Sequence, residues 1–198
     1  MSLRYKQYGI SLIELLISLT IGLLIVIVAV QLFITGLSSF NLQKGLGDVN
    51  DNGRFGLEFL AKNIQPAGYA TTTNYDYIVT RVGQMPGATA STISQNNTLN
   101  VGLGTSDQLV VQRWVPSTVE SPRDCEGNIV PNTATEPGVF MVSRYFLRTD
   151  TQTNAIALAC DAGFYTEGAA SITGYGDEGV VLISYVDNFQ VLYGIGTA

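Results

Sequence analysis

From Ile10 to Leu37 the chain is almost wholly apolar, ISLIELLISLTIGLLIVIVAVQLFITGL, and Glu14 is its one charge. As a helix at 1.5 Å per residue, Ile10 to Leu32 alone spans roughly the 30 Å hydrocarbon core of a bilayer. Past Leu37 the apolar positions keep a helical step. Leu42, Leu46, Val49, Gly53, Leu57, Leu60 and Ile64 recur every three or four residues, which places them on one face. Pro66 stops the pattern and Gly68 follows it. The pattern predicts one long helix from Ile10 to about Gln65, apolar all round in its first half and amphipathic in its second. Gly36, Gly45, Gly47, Gly53 and Gly56 lie within it, each costing about 1 kcal/mol against alanine. Bending or local melting is expected at Gly45-Leu46-Gly47, unless these glycines serve close helix contacts.

The period changes after the helix. Residues 71–106 are rich in Thr, Asn, Ser and Gly and read as a long connection with one short strand around Tyr77 to Val82. Runs of β-branched and aromatic residues then recur at Asp107 to Val115, Val139 to Arg148, Ala155 to Cys160 and Val180 to Tyr193. Gly, Pro and Asn turns separate them, so an antiparallel sheet is expected. A long helix followed by a run of strands is an α+β arrangement. No internal repeat is visible.

Composition narrows the function classes. The 198 residues are 46% hydrophobic and 13% charged, against about 25% charged in a typical soluble domain. Part of the chain is therefore not built for water. The net charge of −6 with no basic stripe argues against nucleic-acid binding, whose affinity comes from neutralising phosphates. There is no histidine, which removes the commonest general base and metal ligand. No phosphate loop, nucleophile elbow or Ser/His/Asp set is present, so nothing makes a case for an enzyme or a cofactor.

The apolar segment admits three readings. A cleaved secretory signal has an apolar core of about 7–15 residues and a small-residue site after it; this run is too long, and Gly36-Leu37-Ser38 is a poor site. A plain signal anchor fits the length, and Arg4 and Lys6 ahead of the span put residues 1–9 in the cytoplasm and the rest outside. It leaves unexplained a carboxylate five residues into the apolar run, which is costly without a partner. Gly9 followed by Ile10-Ser11-Leu12-Ile13-Glu14 resembles the type IV prepilin signature, a glycine and then an apolar stretch with glutamate fifth. Family members more often carry Phe and Thr where Ile10 and Ser11 stand.

That resemblance implies cleavage by a prepilin peptidase between Gly9 and Ile10, N-methylation of Ile10, and a role for Glu14 in subunit docking. An α-amino group with a pKa near about 8 is mostly cationic at neutral pH. The N-terminal amine of a neighbouring subunit would thus supply the charge that Glu14 lacks. The alternative is a glutamate solvated at the headgroup boundary. Asn52-Gly53-Arg54-Phe55, followed by Ala67-Gly68-Tyr69, is similar to the corresponding stretch of minor pilins of the PilW type. The resemblance covers about the first 70 residues. It implies a pilin-like α+β fold, with the helix packed on a C-terminal antiparallel sheet, and no catalysis. Chains of that type continue past the Tyr-Gly that matches Tyr193-Gly194, so this chain is either a short variant or a truncated product.

On this reading residues 1–9 are a leader, 10–37 a transmembrane and assembly helix, 38–66 its amphipathic continuation, and 67–198 a periplasmic β-rich domain. The implied partners are other minor and major pilins, the prepilin peptidase, the inner-membrane pilus assembly machinery and membrane lipid. The implied location is the inner membrane, and the pilus after assembly, where the chain primes or caps the fibre and supports motility, adhesion or DNA uptake. Two rivals share parts of it: a minor pseudopilin of type II secretion, and a signal-anchored periplasmic binding domain that never assembles.

Cys125 and Cys160 are the only cysteines. In an oxidising compartment an even pair favours one disulfide, here closing a loop of about 35 residues and contributing roughly 3–4 kcal/mol. Two buried free thiols are the alternative. Their spacing is not that of a metal site. Glu120, Asp124, Glu126 and Asp161 lie near the cysteines in sequence, and a solvated acidic loop is favoured over a calcium site. Asp177-Glu178 reads as part of a turn, and Trp114 as core.

Overall fold

The structure is a computed structural model that describes residues 9, 11–68, 75–100, 104–131 and 137–194. Residues 1–8 of the predicted leader, and Ile10, lie outside the described residues. Among the described residues the elements are one α-helix, a short 3-10 turn (Ala90–Thr92) and five strands: α1 (Leu12–Ile64), β1 (Gln95–Asn100), β2 (Thr105–Pro116), β3 (Gly138–Thr149), β4 (Ile156–Tyr165) and β5 (Val180–Ser184). Internal contacts divide the chain into Met1–Asp51 and Asn52–Ala198.

In the first unit α1 is unbroken through Gly45-Leu46-Gly47, so the predicted melting does not occur there. A Cβ added at either glycine would meet nothing within 4 Å, so neither serves a close contact within this chain. The apolar side chains from Leu12 to Leu37 are exposed all round the helix. Leu42, Leu46 and Val49 are exposed as well.

The second unit begins with the last turns of α1. Gly56, Phe59, Leu60 and Ile64, at helical spacing, turn toward a sheet, while Leu57 is 70% exposed. Of the predicted stripe, only Leu60 and Ile64 pack. Gly56 is where the approach is closest. A Cβ there would lie 1.8 Å from Cδ1 of Ile183 in β5. Past Ile64 the chain turns through Pro66 to Gly68, whose φ of +88° suits a residue without a Cβ.

The sheet is an antiparallel meander in the order β1-β2-β3-β4-β5. The alternation of β3 sends Tyr145 and Leu147 to one face and Phe140 and Val142 to the other. On the first face Leu109, Val111, Tyr145, Leu158 and Cys160 form a cluster covered by Phe59, Leu60 and Ile64. On the second, Val110, Phe140, Val142 and Tyr165 pack under Val79, Met85 and Ile172. Both faces are thus apolar, which is why β3 and β4 carry long hydrophobic stretches rather than a strict alternation. Trp114 packs 4.8 Å, between ring centroids, from Phe140, a core role.

Four strands differ from the sequence reading, the first being β4, predicted to end at Cys160 and in fact running to Tyr165. Gln95–Asn100 is strand β1 although its sequence, QNNTLN, has little β-propensity; pairing with Thr105 to Gln108 decides it. The strand predicted around Tyr77 to Val82 contributes only an isolated bridge, Ile78 to Val111. The strand predicted over Val180 to Tyr193 stops at Ser184, because Tyr185 turns the chain with φ +62°.

Candidate functional site

Two places gather the residues that the sequence singles out. The first is the head of α1. Ser11 starts the helix by accepting the N–H groups of Glu14 (3.0 Å) and Leu15 (3.2 Å). The Glu14 carboxylate sits in the first turn, where the helix dipole favours negative charge. It is exposed, and among the described residues the two ion pairs, Glu58–Lys62 and Arg144–Asp161, leave it without a cation. Ser18 and Thr20 turn their hydroxyls back onto the carbonyls of Glu14 and Ile17, so these polar side chains need no water within the apolar run. Gly9 is described just before the helix, exposed, with nothing within 4 Å of a notional Cβ. Its bond to Ile10 falls at a residue outside the described set.

The second place is the disulfide. Cys125 and Cys160 are joined, with their Cα atoms 6.2 Å apart, which ties the loop after β2 to the middle of β4. Both are buried, and neither is a free thiol. The next residue on each side carries an acid. The Glu126 carboxylate accepts the Ala162 N–H at 2.9 Å. Asp161 stands opposite Arg144 in the β3–β4 register, on the other face of the sheet from Cys160. Arg144 donates to it through Nε at 2.8 Å, and Gly176 N–H reaches it at 3.0 Å. The guanidinium also donates to the Asp177 carbonyl and lies 4.2 Å over the Phe146 ring.

Gly179, at φ +57°, lets the loop turn back so closely that a Cβ would lie 2.2 Å from the Cys160 carbonyl. Its N–H is capped by Asp177 at 2.7 Å. The turn therefore delivers Asp177 to Asp161 and Glu126, and one carboxylate oxygen of each lies within 4.8 Å of the others. Of the acids that the sequence places near the cysteines, only Glu126 and Asp161 meet. Asp124 is spent on its own turn, accepting the N–H groups of Glu126 and Asn128. Glu120 is exposed. Asp177, read from sequence as part of a turn, joins the group because the fold brings the YGDEG turn beside β4. Each of the three carboxylates accepts hydrogen bonds, Glu126 from Ala162 and Asn128, Asp161 from Arg144 and Gly176, and Asp177 from Gly179, so the trio is a structural node joining loop, strand and turn.

Burial, with neighbouring charge as a lesser cause, sets the proton affinity there. Burial pushes the Asp161 carboxyl up to about 6, with Asp177 adding to the rise and Arg144 and the Gly176 amide opposing it. Burial also raises Glu126, helped by Asp177 and Asp124. Above the disulfide, burial drives the Tyr145 hydroxyl well above the usual phenol range.

Residues 4–30 match the model of the prokaryotic N-terminal methylation motif. That stretch takes in Gly9, Ile10, Glu14 and most of the apolar run. Among the described residues one helix, α1, is long and apolar enough to cross a membrane. No curated protein and no solved structure matches the chain. The N-terminal motif, the exposed apolar helix and the α+β domain together support a pilin-like reading of the chain.

Proposed function

We propose that this chain is a type IV minor pilin of the PilW type, cut after Gly9, methylated at Ile10 and carried into a pilus by its helix. The observation that carries the reading is the exposed Glu14 carboxylate, without a cation among the described residues, at the head of an exposed apolar helix, inside a match to the methylation motif. Removing residues 1–9 would create an α-amino cation four residues before Glu14. An amine and its own Glu14 would lie about one helical turn apart, and a neighbouring subunit offset along the axis would bring its amine to the same carboxylate. Low surrounding dielectric makes such a charge-assisted contact strong and an unpaired carboxylate expensive. Assembly thereby has a direction, because the docking charge lies at one end of each helix.

The Asn52-Gly53-Arg54-Phe55 stretch supports the PilW type over other pilin-like chains, and it forms the turns of α1 just ahead of the sheet contact. In this reading the domain after the helix lies in the periplasm, and other pilins and the inner-membrane assembly machinery are the partners.

The test is the intact mass and N-terminal sequence of the protein from membranes, with and without the prepilin peptidase. A chain that starts at Ile10, one methyl group heavier and dependent on the peptidase, is the expected result. A chain that keeps Met1 to Gly9 would leave a simple membrane anchor. Co-purification with a secretion pseudopilus instead of a pilus would move the mature protein to the other machine. Glu14→Gln is expected to reduce incorporation into filaments at least tenfold, with membrane levels unchanged; normal incorporation would remove the docking role.

A further inference from the structure

The chain after β5 does not continue the sheet. At Tyr185 it turns in the left-handed region, φ +62°, with the side chain 74% exposed, so no packing of the ring accounts for that conformation. A β-rich sequence with a bulky residue there is strained, since only glycine and a few short polar residues adopt that region readily. From the β4–β5 end of the sheet, where Val186 donates to the Ile156 carbonyl, residues 186–193 run to the β1–β2 end. Val186, Phe189 and Val191 lie half-buried on the cluster of Leu109, Val111, Leu158 and Cys160.

At the far end one carboxylate gathers the chain, with Ser106 Oγ accepting the Phe189 N–H beside it at 3.4 Å. Asp107, buried near the start of β2, accepts the Asn97 N–H on Oδ1 and the Val191 N–H on Oδ2, both at 2.8 Å. Its own N–H donates to the Phe189 carbonyl at 2.8 Å. Gln190 adds bonds to the Asn97 side chain and the Thr105 carbonyl. One anionic side chain thus binds segments more than eighty residues apart in sequence, and hydrogen bonds to a charged acceptor are about twice as strong as neutral ones. By contrast, β3 is paired along its length on both edges, from Pro116 to Leu109 and from Ile156 to Tyr165.

We infer that residues 186–193 form a latch, hinged at Tyr185 and held shut by Asp107, that opens as a unit while the β2–β3–β4 sheet stays paired. The latch covers the same apolar cluster as Phe59, Leu60 and Ile64 of α1, and Ile183, which touches Gly56, lies two residues before the hinge. Opening therefore uncovers the flank of the seat on which the end of the helix rests. The latch controls how firmly that helix end is held.

Hydrogen–deuterium exchange on the full chain in detergent micelles tests this, with peptides covering 186–193 compared with β3. The wild-type latch is expected to exchange well ahead of β3. Asp107→Asn turns one acceptor into a donor facing another N–H, and should speed latch exchange at least tenfold while β3 keeps its protection. Tyr185→Asn, which accepts the left-handed turn more readily, should slow latch opening several-fold. Exchange of the wild-type latch in step with β3 would overturn the inference, as would an unchanged latch in Asp107→Asn. Should Asp107→Asn strip protection from β3 as well, Tyr185→Asn decides: slower latch exchange upholds the hinge, and no slowing overturns it.

Discussion

At the scale of single residues, the domain depends on places where one atom more or one charge fewer is felt. Gly56→Ala brings a methyl group to within 1.8 Å of Ile183 Cδ1, so the side chain must move. Overpacking of this kind costs about 1–3 kcal/mol, and the gain in helix propensity returns about 1. A net loss of about 1 kcal/mol in chemical denaturation of the domain is expected. Shortening the partner in Gly56→Ala/Ile183→Val should make the two changes couple favourably in a double-mutant cycle.

Protons act on the same scale. Asp161 has its folded pKa raised to about 6 against an ordinary 3.8, so the folded state binds the proton first. Such a group makes its full contribution below the unfolded value and loses it as pH rises through 6. The domain should therefore gain thermal stability as pH falls from 7 toward 4.5. Asp150, whose carboxyl Thr153 holds below its usual range, works in the opposite sense below pH 4. Glu126→Gln removes one carboxyl that burial raises, so the rise in melting temperature between pH 7 and 5 should become shallower. An unchanged slope would mean that Glu126 contributes nothing to that rise.

Among the elements, the disulfide and the strands share the work. The bridge from Cys125 to Cys160 closes a separation of 35 residues and pins the loop carrying Glu126 against β4. Replacing both cysteines by serine is expected to cost the domain about 2–4 kcal/mol, read as a lower denaturant midpoint at unchanged slope. The β3–β4 pair, continuous from Phe140 to Thr149, should remain the last element to exchange in that variant. The elements also show where propensity yields to pairing. β1 is polar and still a strand, because β2 offers it a ladder. Residues 186–193 have strand-like sequence and are not one, because Asp107 and the turn at Tyr185 take them elsewhere.

For the whole molecule, two environments are built into one chain. The first unit presents apolar side chains on every side of α1, which water does not solvate, and the second closes a two-faced sheet around buried clusters. Membrane insertion should depend on the first unit alone. Leu24→Lys puts a charge near the middle of the apolar run at a cost of about 3 kcal/mol on an insertion scale. The fraction of the protein that resists carbonate extraction should fall sharply, while the near-ultraviolet dichroism of the domain in detergent stays unchanged.

Much of this was legible in the chain itself. The apolar run with its single glutamate, the stop at Pro66, the central strands and the pairing of Cys125 with Cys160 rest on local signals: period, β-propensity and cysteine count. Each such signal is written within a few residues or in the compartment that the anchor implies. What the tertiary structure decided lies in contacts between residues far apart. Only folding shows that α1 uses Gly56, Phe59, Leu60 and Ile64 rather than the full stripe from Leu42, since the sheet reaches just its last turns. Only folding brings Asp177 to Asp161 and Val191 to Asp107, across separations that no period records. Periodicity reports which face of an element is apolar; which part of that face is covered, and by what, depends on where the rest of the chain comes to lie.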